Sequence, residues 1–251
     1  MIVATRSGLV AFGDRTDTDS KVIWTSPDGI DWLAATNASG LQVARGVTAV
    51  AAIDGRAIAF VAVGNDARGP IEVWGTTGRA EWQQLAQLSD EADAYVWQAA
   101  AGPRGWVAFG SPGGGKTDSA WYSADGETWE LAPTGPDVWA AVIGVDAGFV
   151  ATGAVGSLGD DTCGDQRDYH GQTWTSADGR SWQRMTPTAD FEWASIAAML
   201  DIGSNLVGIG VSYPGEHFSS SAEPARWTAP LPRVPGETTS DTAPPRQSCG
   251  G

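Results

Sequence analysis

Both histidines of the 251-residue chain, His170 and His217, fall in segments rich in acids and tyrosine. His170 follows Tyr169 in GSLGDDTCGDQRDYHGQ, which also holds Asp160, Asp161, Asp165 and Asp168. His217 follows Tyr213 and Glu216 in YPGEHFSSS. Imidazole with carboxylates can hold a polar ligand or a metal ion, and an oxygen-rich set suits calcium. The same acids also read as solvated loops of an acidic protein, so no cofactor is expected, with calcium as the alternative. Asp14, Asp17 and Asp19 lack the spacing and glycine of a calcium loop and read as solvated. Three tryptophans, Trp97, Trp139 and Trp193, each follow a polar stretch and open an apolar run. Their rings could stack on a sugar, or could pack between layers of the fold.

A second pattern, Gly110-Ser-Pro-Gly-Gly-Gly115-Lys116-Thr117, matches the phosphate-cradling loop G-x-x-x-x-G-K-[ST]. That chemistry needs a helix after the loop, so that backbone N–H groups and the helix dipole face the phosphates. Here DSAWYSADGETW follows, a strand and a turn. The match reads as a flexible glycine-rich loop.

The elements that must position these residues emerge from a repeat. Trp24 and Trp32 are eight residues apart, as are Trp74 and Trp82, Trp121 and Trp129, and Trp174 and Trp182. The first members recur after 50, 47 and 53 residues, and Trp227 follows after another 53. Upstream of each lies an apolar run ending in glycine: LVAFG to Gly13, FVAVG to Gly64, WVAFG to Gly110, FVATG to Gly153 and LVGIG to Gly210. Units of about 50 residues with period-2 alternation and turn signals predict four antiparallel strands each. The expected fold is all-β, a β-propeller of about five four-stranded blades, open to being part of a larger one. Repeats are placed near 1–40, 41–90, 91–135, 136–188 and 189–232, within a propeller domain of residues 1–232. A Pro/Ser/Thr-rich tail, 233–251, is expected to be flexible.

Composition narrows the function. Thirty acids against 15 bases leave a charge of -15, which disfavours nucleic acid and anionic membrane surfaces. With 42% hydrophobic residues the chain can bury a core. The apolar stretch from Val138 to Gly156 is split by Asp146 and four glycines, so it reads as two strands rather than a membrane span. No secretory signal follows Met1, so the chain reads as cytoplasmic, mature, or starting upstream. Cys163 and Cys249 lack metal-type spacing and could form a disulfide in an exported protein.

Between the tryptophans of three pairs lies S-x-D-G-x-x-W: Ser26, Asp28, Gly29 and Trp32; Ser123, Asp125, Gly126 and Trp129; Ser176, Asp178, Gly179 and Trp182. The carboxylate can accept backbone N–H bonds across a tight turn while glycine supplies the positive φ. The second tryptophan can cover the hairpin and fill space between blades. Unit two has TTGRAEW instead, and unit five has lost the turn. These turns resemble Asp-boxes, the repeats of sialidase-like (BNR) propellers, although the family form has one more residue between Asp and Gly. The resemblance implies a propeller with structural boxes away from the ligand site. It carries over no catalytic residue, since the family's Arg-Ile-Pro motif is absent.

The resulting expectation is a non-catalytic, exported or cell-envelope propeller, probed through the face carrying its long loops. Its ligand would be a carbohydrate or a protein, held by Tyr169, His170, Tyr213, His217, Trp97, Trp139 and Trp193. The alternative is a sialidase-like glycoside hydrolase. A monomer is expected, with neither nucleic acid nor membrane as partner.

Overall fold

The computed structural model describes residues 1–5, 8–14, 21–34, 46–63, 68–76, 82–116, 119–132, 138–155, 170–185, 194–202, 205–212 and 223–230. Every helix or strand element among them is a strand. The first blade is built from β1 (Ile2–Thr5), β2 (Gly8–Asp14), β3 (Lys21–Ser26) and β4 (Leu33–Ala34). The second is β5 (Gly46–Ile53), β6 (Arg56–Ala62), β7 (Ile71–Thr76) and β8 (Gln83–Ser89). The third is β9 (Tyr95–Gly102), β10 (Gly105–Ser111), β11 (Ser119–Ser123) and β12 (Glu130–Leu131). The fourth is β13 (Val138–Val145), β14 (Gly148–Val155), β15 (His170–Ser176) and β16 (Gln183–Arg184). The fifth has three strands among the described residues, β17 (Ala194–Ile202), β18 (Asn205–Ser212) and β19 (Glu223–Pro230). Each sheet is an antiparallel meander in chain order, and the fold is an all-β, five-bladed β-propeller. The apolar stretch after Val138 forms β13 and β14, and no helix among the described residues is long and apolar enough to cross a membrane.

The chain divides into two compact units: Met1–Gly135 with Asp178–Ser181, and Pro136–Ala177 with Trp182–Gly251. In the first, β1 packs beside β5 and β5 beside β9; in the second, β13 packs beside β17. The strands β6 and β10 are buried along nearly their whole length, which is why they read as continuous apolar runs.

Register explains the tryptophan repeat. Trp24, Trp74, Trp121, Trp174 and Trp227 stand opposite Ala11, Ala59, Ala108, Ala151 and Gly208 on the neighbouring strand. A small cross-strand partner leaves room for each indole. The same register corrects the alignment of unit two. Ala59, Phe60 and Val61 occupy the places of Ala108, Phe109 and Gly110, so Val61, not Gly64, matches the strand-ending glycines.

The second tryptophans join blades. Trp82, from the second blade, meets Phe12 of the first edge to face at 5.4 Å, within a cluster containing Val10, Ile23, Ala59 and Val61. Trp129 makes the equivalent contact with Phe60 at 5.3 Å.

The S-x-D-G-x-x-W turns are knit by their own side chains. Gly126 N donates to Ser123 Oγ at 2.7 Å, and the amides of Glu127 and Thr128 donate to Asp125 Oδ1 at 2.8 Å each. In the first turn Gly29 N donates to Ser26 Oγ at 2.8 Å, and Ile30 and Asp31 donate to Asp28 Oδ1 at 2.9 and 3.1 Å. The amides of Arg180 and Ser181 donate to Asp178 Oδ1 at 2.8 and 2.9 Å. Gly29, Gly126 and Gly179 have φ of 81°, 78° and 77°, the left-handed region open to glycine. Trp32 and Trp129 each donate Nε1 to the carbonyl of their turn glycine at 3.2 Å.

Candidate ligand site at the loop end of the second and third blades

Chain segments at the loop end of these two blades, all within the first unit, are bound into one surface. Gly69 N donates to the Ala94 carbonyl at 2.9 Å, joining the approach to β7 with the approach to β9. Ser89 Oγ donates to the Pro112 carbonyl at 2.7 Å, joining the end of β8 to the glycine-rich loop after β10. Gly114 N donates to Asp93 Oδ1 at 2.8 Å. That amide, foremost, holds the Asp93 carboxyl below its ordinary range, and the charge of Arg68 adds to the effect. Asp93 is therefore a fixed carboxylate at neutral pH.

This arrangement settles the phosphate-loop pattern. Gly110 lies within β10, Gly113, Gly114 and Gly115 have φ of 79°, 65° and 72°, and β11 follows where a helix would be required. The loop amides are already engaged. Gly113 N donates to Ser111 Oγ at 3.3 Å, Lys116 N to the Gly113 carbonyl at 3.3 Å, and Gly114 N to Asp93. A carboxylate occupies the place a phosphate would need.

Aromatic groups enter through a β-bulge. The innermost strands of blades two to five all shift register at one level, leaving Thr48, Trp97, Ala140 and Ala197 without a cross-strand partner. A bulge re-aims the side chain it carries. Only the third blade places an aromatic residue there. The Trp97 ring lies 5.0 Å from that of Tyr95 at an interplanar angle of 32°, and the Arg68 guanidinium lies 4.7 Å from the centre of the Tyr95 ring. Tyr95 and Trp97 are half-buried and Arg68 is exposed. The Trp97 Nε1 donor is enclosed and has no partner among the described residues. Within the segments joined at this end, the described residues thus offer partly exposed aromatic surface with Arg68 over Tyr95, the Asp93 and Glu91 carboxylates against Gly113 and Gly114, and an exposed Lys116 on the glycine-rich loop.

Of the residues singled out from sequence, Trp97 is in this cluster. Trp139 is not its equivalent: it precedes the bulge of β13 and pairs with Gly153, the place taken by Val96 in β9. His170 opens β15, its backbone opposite Val155. Tyr169, Tyr213, His217, Trp193, Asp160, Asp161, Asp165, Asp168, Cys163 and Cys249 lie outside the described residues. No group of three or more His, Cys, Asp or Glu side chains suited to a metal occurs among the described residues. Sequence reading missed Tyr95, Arg68 and Asp93. The alternation Tyr95-Val96-Trp97 carried a signal for the first, while the other two needed the loops brought together.

No family model matches the chain, and no curated protein matches it. Solved structures share its fold. An α-L-arabinofuranosidase of Fusarium graminearum, in complex with arabinobiose, matches over 92% of both chains with TM-score 0.51 and 9% identity. A mutant Aleuria aurantia lectin in complex with α-methyl-L-fucoside matches over 91% of this chain and 72% of its own, with TM-score 0.51 and 11% identity. Kuenenia stuttgartiensis hydrazine synthase matches over 84% of this chain and 63% of its own, with TM-score 0.50 and 14% identity. At these identities the likeness is one of fold. Three proteins with such different names place the burden of function on the site.

Proposed function

We propose that the chain is a non-catalytic, exported propeller that binds a carbohydrate through the loop end of its blades, with Trp97 as an anchor. One observation carries this reading: blade three alone places a tryptophan at the inner-strand bulge, where the other bulged positions hold Thr48, Ala140 and Ala197. The repeat accounts for the bulge but not for the indole. Its N–H is enclosed without a partner among the described residues, a cost on the order of 1–3 kcal/mol that it shares with the packing residue Trp82. Partly exposed aromatic rings with adjacent polar groups suit a sugar, whose faces are apolar and whose edges carry hydroxyls. The lectin and the arabinofuranosidase that share the fold are named with saccharides in place, which accords with this use of the scaffold.

The test is a glycan array probed with the labelled protein and its Trp97→Ala variant, alongside fluorogenic glycosides. Saturable binding lost in the variant, without turnover, supports the reading. Turnover by the native chain, or binding indifferent to Trp97, overturns it.

A further inference from the structure

Building on the carbohydrate-binding reading, we infer that the Trp97 site selects uncharged sugars and rejects their acidic counterparts. The segments that frame it, 68–70, 89–94 and 111–116, carry Arg68 and Lys116 against Asp90, Glu91 and Asp93. Two positive and three negative charges leave the rim at -1, in a chain whose total is -15. One of the two cations that could greet a carboxylate is already engaged: Arg68 lies over the Tyr95 ring and within the field of Asp93, while Lys116 is exposed on the glycine-rich loop. An anionic sugar would meet net repulsion at the rim and across the molecule. A neutral pyranose avoids this penalty: its apolar face rests on aromatic surface, and its hydroxyls donate to Glu91 and Asp93, which accept only.

Sugars that differ in a single group isolate the claim. Methyl glucoside and methyl galactoside are titrated into the full chain beside methyl glucuronide and methyl galacturonide, followed by calorimetry and tryptophan fluorescence up to tens of millimolar. At least one neutral sugar should bind tenfold or more tightly than its uronide, with affinity little changed by added salt. Trp97→Phe should keep most of this affinity and Trp97→Ala should lose at least tenfold. Glu91→Lys, at an exposed position, turns the rim from -1 to +1 and should narrow the preference. Uronides that bind as well as their neutral partners, yet depend on Trp97, would overturn the selectivity and leave the binding site standing. Failure of all four sugars, with an array indifferent to Trp97→Ala, would overturn both.

Discussion

Trp129 and Phe60 meet edge to face, their ring centres 5.3 Å apart and their planes at 79°, joining the third blade to the second. The same indole donates its N–H to Gly126 at 3.2 Å, so one side chain closes its own turn and fastens its blade to the next. Removing the ring in Trp129→Ala should cost about 3 kcal/mol, the low end for a large aromatic because the ring is only half-buried. Trp129→Phe keeps the ring contact and loses the hydrogen bond, costing about 1 kcal/mol beyond the lost area. Chemical denaturation of the two variants and of Phe60→Leu, arranged as a double-mutant cycle, should give a coupling of roughly 0.5–1.5 kcal/mol. A coupling near zero would mean the rings are neighbours without being partners.

The turn beneath Trp129 makes stability depend on acid. Amides of Thr128 and Glu127, followed by the Ser123 hydroxyl, lower the Asp125 carboxyl to about 2. In the unfolded chain it titrates near 3.9, as aspartates ordinarily do. A carboxyl lowered on folding stabilises fully above its unfolded value, and the contribution fades as pH falls through the folded one. Asp125→Asn should therefore be less stable than the native chain at pH 7, with the gap closing between about pH 4 and pH 2. Asp28, lowered chiefly by the amides of Ile30 and Asp31, should shift in the same direction. Urea midpoints measured across this range decide the matter, and a gap independent of pH would assign the loss to shape rather than charge.

The architecture was legible because its signals are local and repeated. An indole at fixed spacing, a D-G turn and alternating apolar residues each reflect one strand or one hairpin. Unit two shows where such reading slips. FVAVG resembles the other runs, but register is fixed by facing strands, and there Val61 stands where the others have glycine. Another regularity surfaced only in three dimensions. Gly8, Gly105 and Gly148 open their second strands with φ near 130°, and a Cβ on any of them would strike the carbonyl of Ser26, Ser123 or Ser176, the serine that begins the turn. Units two and five, without the intact turn, have Arg56 and Asn205 at this place. The candidate site was less legible because Arg68, Asp93 and Trp97 come from segments on two blades, and because a bulge, invisible in alternation, decides where Trp97 faces.

Two glycines of the same hairpin separate close approach from backbone conformation. A Cβ on Gly110 would collide with the Tyr95 carbonyl. A Cβ on Gly115 would meet no atom within 4 Å, and the only obstacle is its φ of 72°. Gly115→Ala should cost about 1–2 kcal/mol, the penalty of a left-handed conformation, and leave sugar binding unchanged. Gly110→Ala should cost more than that, since backbone must move, and should weaken sugar binding. Equal costs for the two, by thermal or urea unfolding, would refute the steric account of Gly110.

Thr152 occupies the strand position that Phe12, Phe60 and Phe109 fill in the first three blades. Two of those phenylalanines meet a second tryptophan from the next blade, Phe12 with Trp82 and Phe60 with Trp129. Unit five has lost its second tryptophan, so the ring that a phenylalanine at 152 would meet is gone, and a smaller residue fits. The exchange leaves a residue only 3% exposed whose hydroxyl has no partner among the described residues. Thr152→Val keeps the branched shape, suits the strand and removes the stranded polar atom. It should raise stability by about 1 kcal/mol, because an unpaired buried hydroxyl costs roughly that much or more. The melting temperature should rise by a few degrees for a chain of this size. Thr152→Ser keeps the hydroxyl, loses a methyl group and should fall below the native chain. A valine variant less stable than the native protein would mean that the hydroxyl is satisfied by bound water in solution.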